Sequence, residues 1–349
     1  MRETHHRVVR LWRRRSLQVL ALALAWATQP LAAQIRDDVY RLDRPDAQGP
    51  AGLTGEHLIH RGSFEMGYRF TNLGFDQLRE GREERAAEDL LRTYTIVPAT
   101  RTALTHELDL RYGVASGLTL QVLVPYHDIE TSSLFGSERF VTRSSGLGDV
   151  LVQGLVSLFG EGAARSHLNL GLSIPTGAID ATGRTPLALG GAILPYGSQL
   201  GSGSFELRPG GTVLVQNDQG SVGAQLLGTL HLNENDRGYR VGDRITATVW
   251  LAPRINDFMS FSARIIYENF DRVHGADAGL DRTLDPTADP DFQGGERVEL
   301  PFGLSIYLPD GPFAGHRLSV EFSFAAHQDY DGIQMDRNRT FWVVWRKAL

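Results

Sequence analysis

Residues 63–71 read Ser-Phe-Glu-Met-Gly-Tyr-Arg-Phe-Thr, and their alternation decides the fold. Phe64, Met66, Tyr68 and Phe70 share one face; Ser63, Glu65, Gly67 and Arg69 share the other. A period of two belongs to an extended strand, because successive side chains point to opposite sides of the backbone. An apolar face backed by a charged one needs two different surroundings, one oily and one wet.

The pattern recurs along the chain. In 102–112, Leu104, Leu108, Leu110 and Tyr112 oppose Thr105, Glu107, Asp109 and Arg111. Segments 119–126, 149–159, 167–174, 204–215, 222–232, 244–251, 259–268, 297–308, 317–327 and 340–347 repeat it. That makes twelve segments, each close to the about 9–11 residues that a tilted transmembrane strand needs. Long connections (72–101, 127–145, 175–203, 233–243, 269–296 and 328–339) follow the odd-numbered segments. Short ones (113–118, 160–166, 216–221, 252–258 and 309–316) follow the even-numbered segments. Long extracellular loops and short periplasmic turns produce this alternation, with both termini in the periplasm. The expected fold is all-β: a transmembrane, antiparallel, up-and-down barrel of about 12 strands. A soluble β-sandwich also alternates, yet it gives no reason for charges opposite nearly every apolar face.

Composition agrees. Mean hydropathy is only −0.21, because amphipathic strands average out to neutral. A net charge of −6 argues against nucleic acid as a partner. The absence of cysteine excludes disulfides, thiolate metal sites and cysteine nucleophiles.

The N-terminus reads as an address. Arg7, Arg10, Arg13, Arg14 and Arg15 precede an apolar core at 17–27 (LQVLALALAWA), and Leu31-Ala32-Ala33 suits cleavage. Residues 1–33 are therefore expected to be a signal peptide for Sec-dependent export to the Gram-negative outer membrane. Residues 34–60, with Pro45 and Pro50, form a polar periplasmic segment, either a free tail or a partial plug of the pore. Residues 61–349 form the barrel. The expected partners are the outer-membrane bilayer, a small-molecule solute and the barrel-assembly machinery during biogenesis.

Parity assigns a polar inner face. Its charged candidates are Glu65, Arg69, Glu107, Asp109, Arg111, Glu206, Arg208, Arg264, Glu268, Arg297, Glu299, Arg317 and Glu321. They would either brace the wall as ion pairs or form a constriction that sorts solutes. Their mixed signs argue against a strongly cation- or anion-selective pore. Residues 79–92 (REGREERAAEDLLR) could form a short amphipathic helix in the first long loop. Asp271, Asp277, Asp281, Asp285, Asp289 and Asp291 crowd one loop, but no calcium-loop template is matched. His106 falls on the lipid-facing parity with no serine placed to be its nucleophile. No catalytic residue, metal site or cofactor is expected.

Gly146-Leu-Gly-Asp-Val150, Ser173-Ile-Pro-Thr-Gly177 and Leu200-Gly-Ser-Gly-Ser204 stand at strand ends in fixed order. With Asn233–Tyr239, Val241–Asp243 and Gly315–Glu321, they resemble the outer-membrane family named for the meta-pathway of phenol degradation, in a subgroup labelled transporter. The resemblance spans most of 60–349. It implies a channel or transporter for small molecules, with hydrophobic or aromatic compounds suggested. The alternative is a structural or adhesive barrel acting through its acidic loops.

Overall fold

Strands with one apolar and one polar face satisfy both faces by closing the sheet on itself. Closure also leaves no unpaired backbone edge in the bilayer. The computed structural model, which describes residues 40–160 and 162–349, has this architecture. The leader read at 1–33 lies outside the described residues.

The wall begins with β1 (Phe64–Gly81), β2 (Ile96–Ala115), β3 (Leu118–Phe135) and β4 (Val150–Phe159). It continues with β5 (Ala164–Ile174), β6 (Glu206–Asn217), β7 (Gly220–His231) and β8 (Arg244–Pro253). Then come β9 (Met259–Phe270), β10 (Gly295–Leu308) and the stretch His316–Ala348. That last stretch is two strands, β11 (316–330) and β12 (333–348). The first pairs with β10 and the second with β1, and the Trp345 indole N–H meets His316 Nδ1 at 3.0 Å. One straight strand would hold those residues about 95 Å apart at ~3.3 Å per residue. Every neighbouring pair is antiparallel, and the β1–β12 ladder closes a barrel of twelve strands.

Inward positions are polar and buried, as at Asp109, Arg111, Gln121 and Gln153. Outward positions form an exposed apolar belt, with Leu170 60 % and Leu226 56 % accessible. Such a belt is what faces the hydrocarbon of a membrane. Among the described residues no helix is long and apolar enough to cross a bilayer; the strands do so.

Several expected loops are strand instead. β3 runs to Phe135, turns, and returns as a further strand, Glu138–Leu147, paired along its upper half. Residues 328–339 likewise lie within the β11–β12 hairpin. Above the bilayer the backbone groups still need partners, so the ladders keep zipping. Residues 79–92 are also partly strand. Glu83–Arg85 folds back on β1, with Arg85 bonded to Glu80 and Arg79 to Glu84 (3.5 Å), so only Ala87–Leu90 is helical. Leu90 packs with Leu78, Val97, Ile333 and Met335 in a small core that ties this cap to the barrel rim.

Candidate functional site

The lumen holds part of its own chain. Residues 40–60 begin at the periplasmic turns, where the Tyr40 N–H bonds Gly162 O at 3.1 Å. They climb to mid-barrel, where His167 Nε2 and Asn169 Nδ2 both reach Gly55 O at 2.8 Å. They descend to the base of β3, where the Ile59 N–H donates to Thr119 Oγ1 at 3.0 Å. Leu53 inserts among Leu214, Trp250 and Ala252, a small apolar set on the inner wall.

Every inner-face candidate lies on the lumen side, and the structure sorts them by height. At the periplasmic end, Glu65, Asp109 and Arg111 gather around Glu56 and His57 of the inserted segment. Arg111 Nη2 lies 2.8 Å from Asp109 Oδ2 and 3.2 Å from Glu56 Oε2. Arg346 reaches Glu56 at 2.8 Å, and His57 lies 3.0 Å from Glu56 and 3.1 Å from Glu65. Beside them, Arg317 donates to the carbonyls of Pro45 (2.8 Å), Arg44 (2.8 Å) and Leu42 (3.3 Å). Halfway up, Arg264 grips Glu321 through two bonds of 3.0 and 2.9 Å, and Glu321 accepts the Gly52 N–H at 2.8 Å. Arg69 lies 3.5 Å from Glu107 and donates to Thr54 Oγ1 and Leu53 O, both at 2.8 Å. These charges thus clamp the inserted segment as well as one another.

The upper group is different. Glu268 serves Arg244 (3.0 Å), Arg297 (2.6 Å) and Arg337 (3.1 Å) at once. Glu299 also contacts Arg297 (3.5 Å) and Arg337. Glu206 holds Arg208 at 2.7 Å and His231 at 3.2 Å. Two adjoining cavities of about 350 and 410 Å³ open here, sharing Tyr196, Val241 and Arg244 and floored by Thr54. A third of about 310 Å³, mostly apolar, lies among the extracellular loops and meets the first at Arg101 and Thr287.

Sequence parity missed several members of these groups. Arg101 and Arg337 sit in segments read as loops, and Glu56 and His57 in a segment with no periodicity. Arg244 and Arg346 carried the inward parity of their strands and were legible by it.

The glycine-rich motifs converge on one carboxylate. Asp149 accepts the Gly177 N–H at 2.8 Å, the Ser202 N–H at 2.7 Å and the Ser202 hydroxyl at 2.9 Å. A Cβ on Gly177 would fall 2.7 Å from the Gly201 backbone, so this contact excludes any side chain. Asn235 extends the knot by donating to Ser202 O at 2.9 Å. Together these bonds hold the 175–205 and 232–243 connections, with Tyr196 and Val241, over the cavities.

Outside the barrel, His106 is exposed and its Nδ1 lies 2.6 Å from the Tyr68 hydroxyl, with no serine partner among the described residues. The loop aspartates mostly serve their own loop. Asp281, Asp285 and Asp289 accept N–H groups two residues on, Asp277 binds Arg237 (2.7 Å) and Asp291 binds Arg272 (2.5 Å). One His/carboxylate group, Glu296, His327 and Asp329, has donor atoms within 4.8 Å. There Asp329 is taken by Arg82 (2.7 Å) and Glu296 by the Tyr267 hydroxyl (2.8 Å).

The fold is shared with a crystallised outer-membrane channel from Pseudomonas putida F1: 12 % identity, 84 % of this chain, 97 % of that one, TM-score 0.59. A Pseudomonas aeruginosa FadL homologue matches with 10 % identity over 89 % of this chain and 99 % of that one, TM-score 0.43. No curated protein matches in sequence. The model of one family, described as the MetA-pathway of phenol degradation, matches residues 97–293, more than half of the sequence and both of the lumen-capping connections. The chain belongs to that family.

Proposed function

We propose that this protein is an outer-membrane channel for small molecules with hydrophobic or aromatic bodies, gated from below by residues 40–60. The observation that carries the reading is the divided lumen. Solute-sized cavities occupy its upper half, and a piece of chain clamped there by non-covalent bonds fills its lower half. The Pseudomonas putida protein of the same fold is itself an outer-membrane channel. The apolar cavity among the outer loops would receive a solute, and the polar chamber beneath would hold it. Onward passage requires the segment to move, since its backbone bonds directly to Arg69, His167, Asn169 and Glu321. No step needs chemistry on the solute.

The test compares the full chain with a variant lacking residues 40–60, in planar bilayers and in liposomes challenged with benzyl alcohol. The intact protein should show low conductance and measurable uptake, and the deletion a much larger conductance. Silence from both proteins, each shown to be folded by its heat-dependent gel mobility, would sink the channel reading.

A further inference from the structure

Five arginines, Arg101, Arg208, Arg244, Arg297 and Arg337, face the upper cavities, and their partners do not balance them. Three of them share Glu268, and two of those three, Arg297 and Arg337, also share Glu299; with Glu206 on Arg208, three carboxylates face five arginines. Arg337 Nε is buried with no hydrogen-bond partner. Arg101 has no carboxylate within 4 Å among the described residues; it makes one 3.3 Å bond to Thr131 Oγ1 and lies 5.7 Å over the Phe75 ring. The side chains of Arg208 and Arg244 are 40 % and 46 % exposed, so part of each guanidinium is free toward the cavity. Phe75, Tyr196, Phe270 and Tyr330 line the same space.

Resting on the channel reading, we propose that this chamber is a binding site for a small aromatic carboxylate. Guanidinium forks match a carboxylate in geometry as well as charge. Aromatic walls suit a planar ring, and arginines that stack on Phe75 and Phe270 are already aligned with those faces. Arg101 stands where the outer cavity, whose other charged lining residues are Asp281 and Asp285, meets the chamber, so it is the cation an incoming anion encounters on entering the chamber. The site therefore prefers anions locally, although the lumen as a whole has mixed signs.

Calorimetry on the detergent-solubilised full chain tests this with benzoate, benzyl alcohol and acetate. Benzoate should bind at least tenfold tighter than either of the others. Arg101→Gln, which breaks no ion pair, should weaken benzoate about tenfold, or about 1.4 kcal/mol, and leave benzyl alcohol unchanged. Equal affinities for benzoate and benzyl alcohol overturn the proposal, as does acetate binding as well as benzoate. The wild-type comparison decides even where the variant fails to fold. Binding is read without conduction, so a silent channel that still binds benzoate selectively refutes the transport reading and leaves the site standing. A conducting channel indifferent to benzoate does the reverse.

Discussion

Glu56→Gln isolates the latch that holds the inserted segment. Glu56 is fully buried and meets Arg346 at 2.8 Å, His57 at 3.0 Å and Arg111 at 3.2 Å. Glutamine keeps the volume and removes the charge. Breaking a buried pair from one side costs about 3–5 kcal/mol. Arg111 keeps Asp109 at 2.8 Å and Glu65 at 3.7 Å, whereas Arg346 is left with Gln48 at 3.2 Å and Asp109 at 4.0 Å. The lower end of the range, about 3 kcal/mol, therefore applies. At about 1.4 kcal/mol per factor of ten, the undocked population rises roughly 100-fold. Glu56 belongs to no strand, so the ladders that close the barrel are untouched. The assay is single-channel recording in planar bilayers, with heat-dependent gel mobility to establish the folded barrel. Longer open times by about two orders of magnitude are expected. Unchanged open time in a folded barrel refutes the latch, and loss of the barrel shows that Glu56 braces the wall instead.

Asp149→Ala removes the acceptor of three bonds at the loop knot and should render the 175–205 connection sensitive to protease while the barrel stays resistant; limited proteolysis with mass spectrometry reads this, and a resistant loop counts against the knot. Asp277, in the extracellular loop, is held below the usual carboxylate range by the Arg237 guanidinium and the Gly279 N–H, against a desolvation that raises it. Its contribution is present above the ordinary carboxylate pKa and lost as pH falls through the depressed one, so hydrogen exchange around 275–280 should accelerate only in strong acid, and Arg237→Gln should bring that acceleration to neutral pH. Leu170→Arg, on the outer belt midway along β5, should destabilise the barrel in bilayers by about 2–4 kcal/mol; urea unfolding in liposomes measures it, and a neutral result would place Leu170 outside the hydrocarbon.

The alternation in residues 63–71 and its repeats determined the strands and the face each side chain presents, while the long and short connections gave the even strand number. The first two depend only on local backbone geometry. Hairpin connectivity followed from chain order, and even the inward side of Glu268 and Arg297 could be read there. Ion-pair partners could not, because cross-strand neighbours depend on register. Glu268 meets Arg297 across β9 and β10, and Arg337 from β12 also reaches it. The segment 40–60 has no periodicity, and its place in the lower lumen comes from Leu53 fitting an apolar gap and from charges on four strands, β1, β2, β11 and β12. The chamber is roofed by the two loops that Asp149 and its partners tie together and by the 269–296 connection. Local pattern thus specified a wall with two faces; contacts between residues far apart in sequence decided what fills the space inside it.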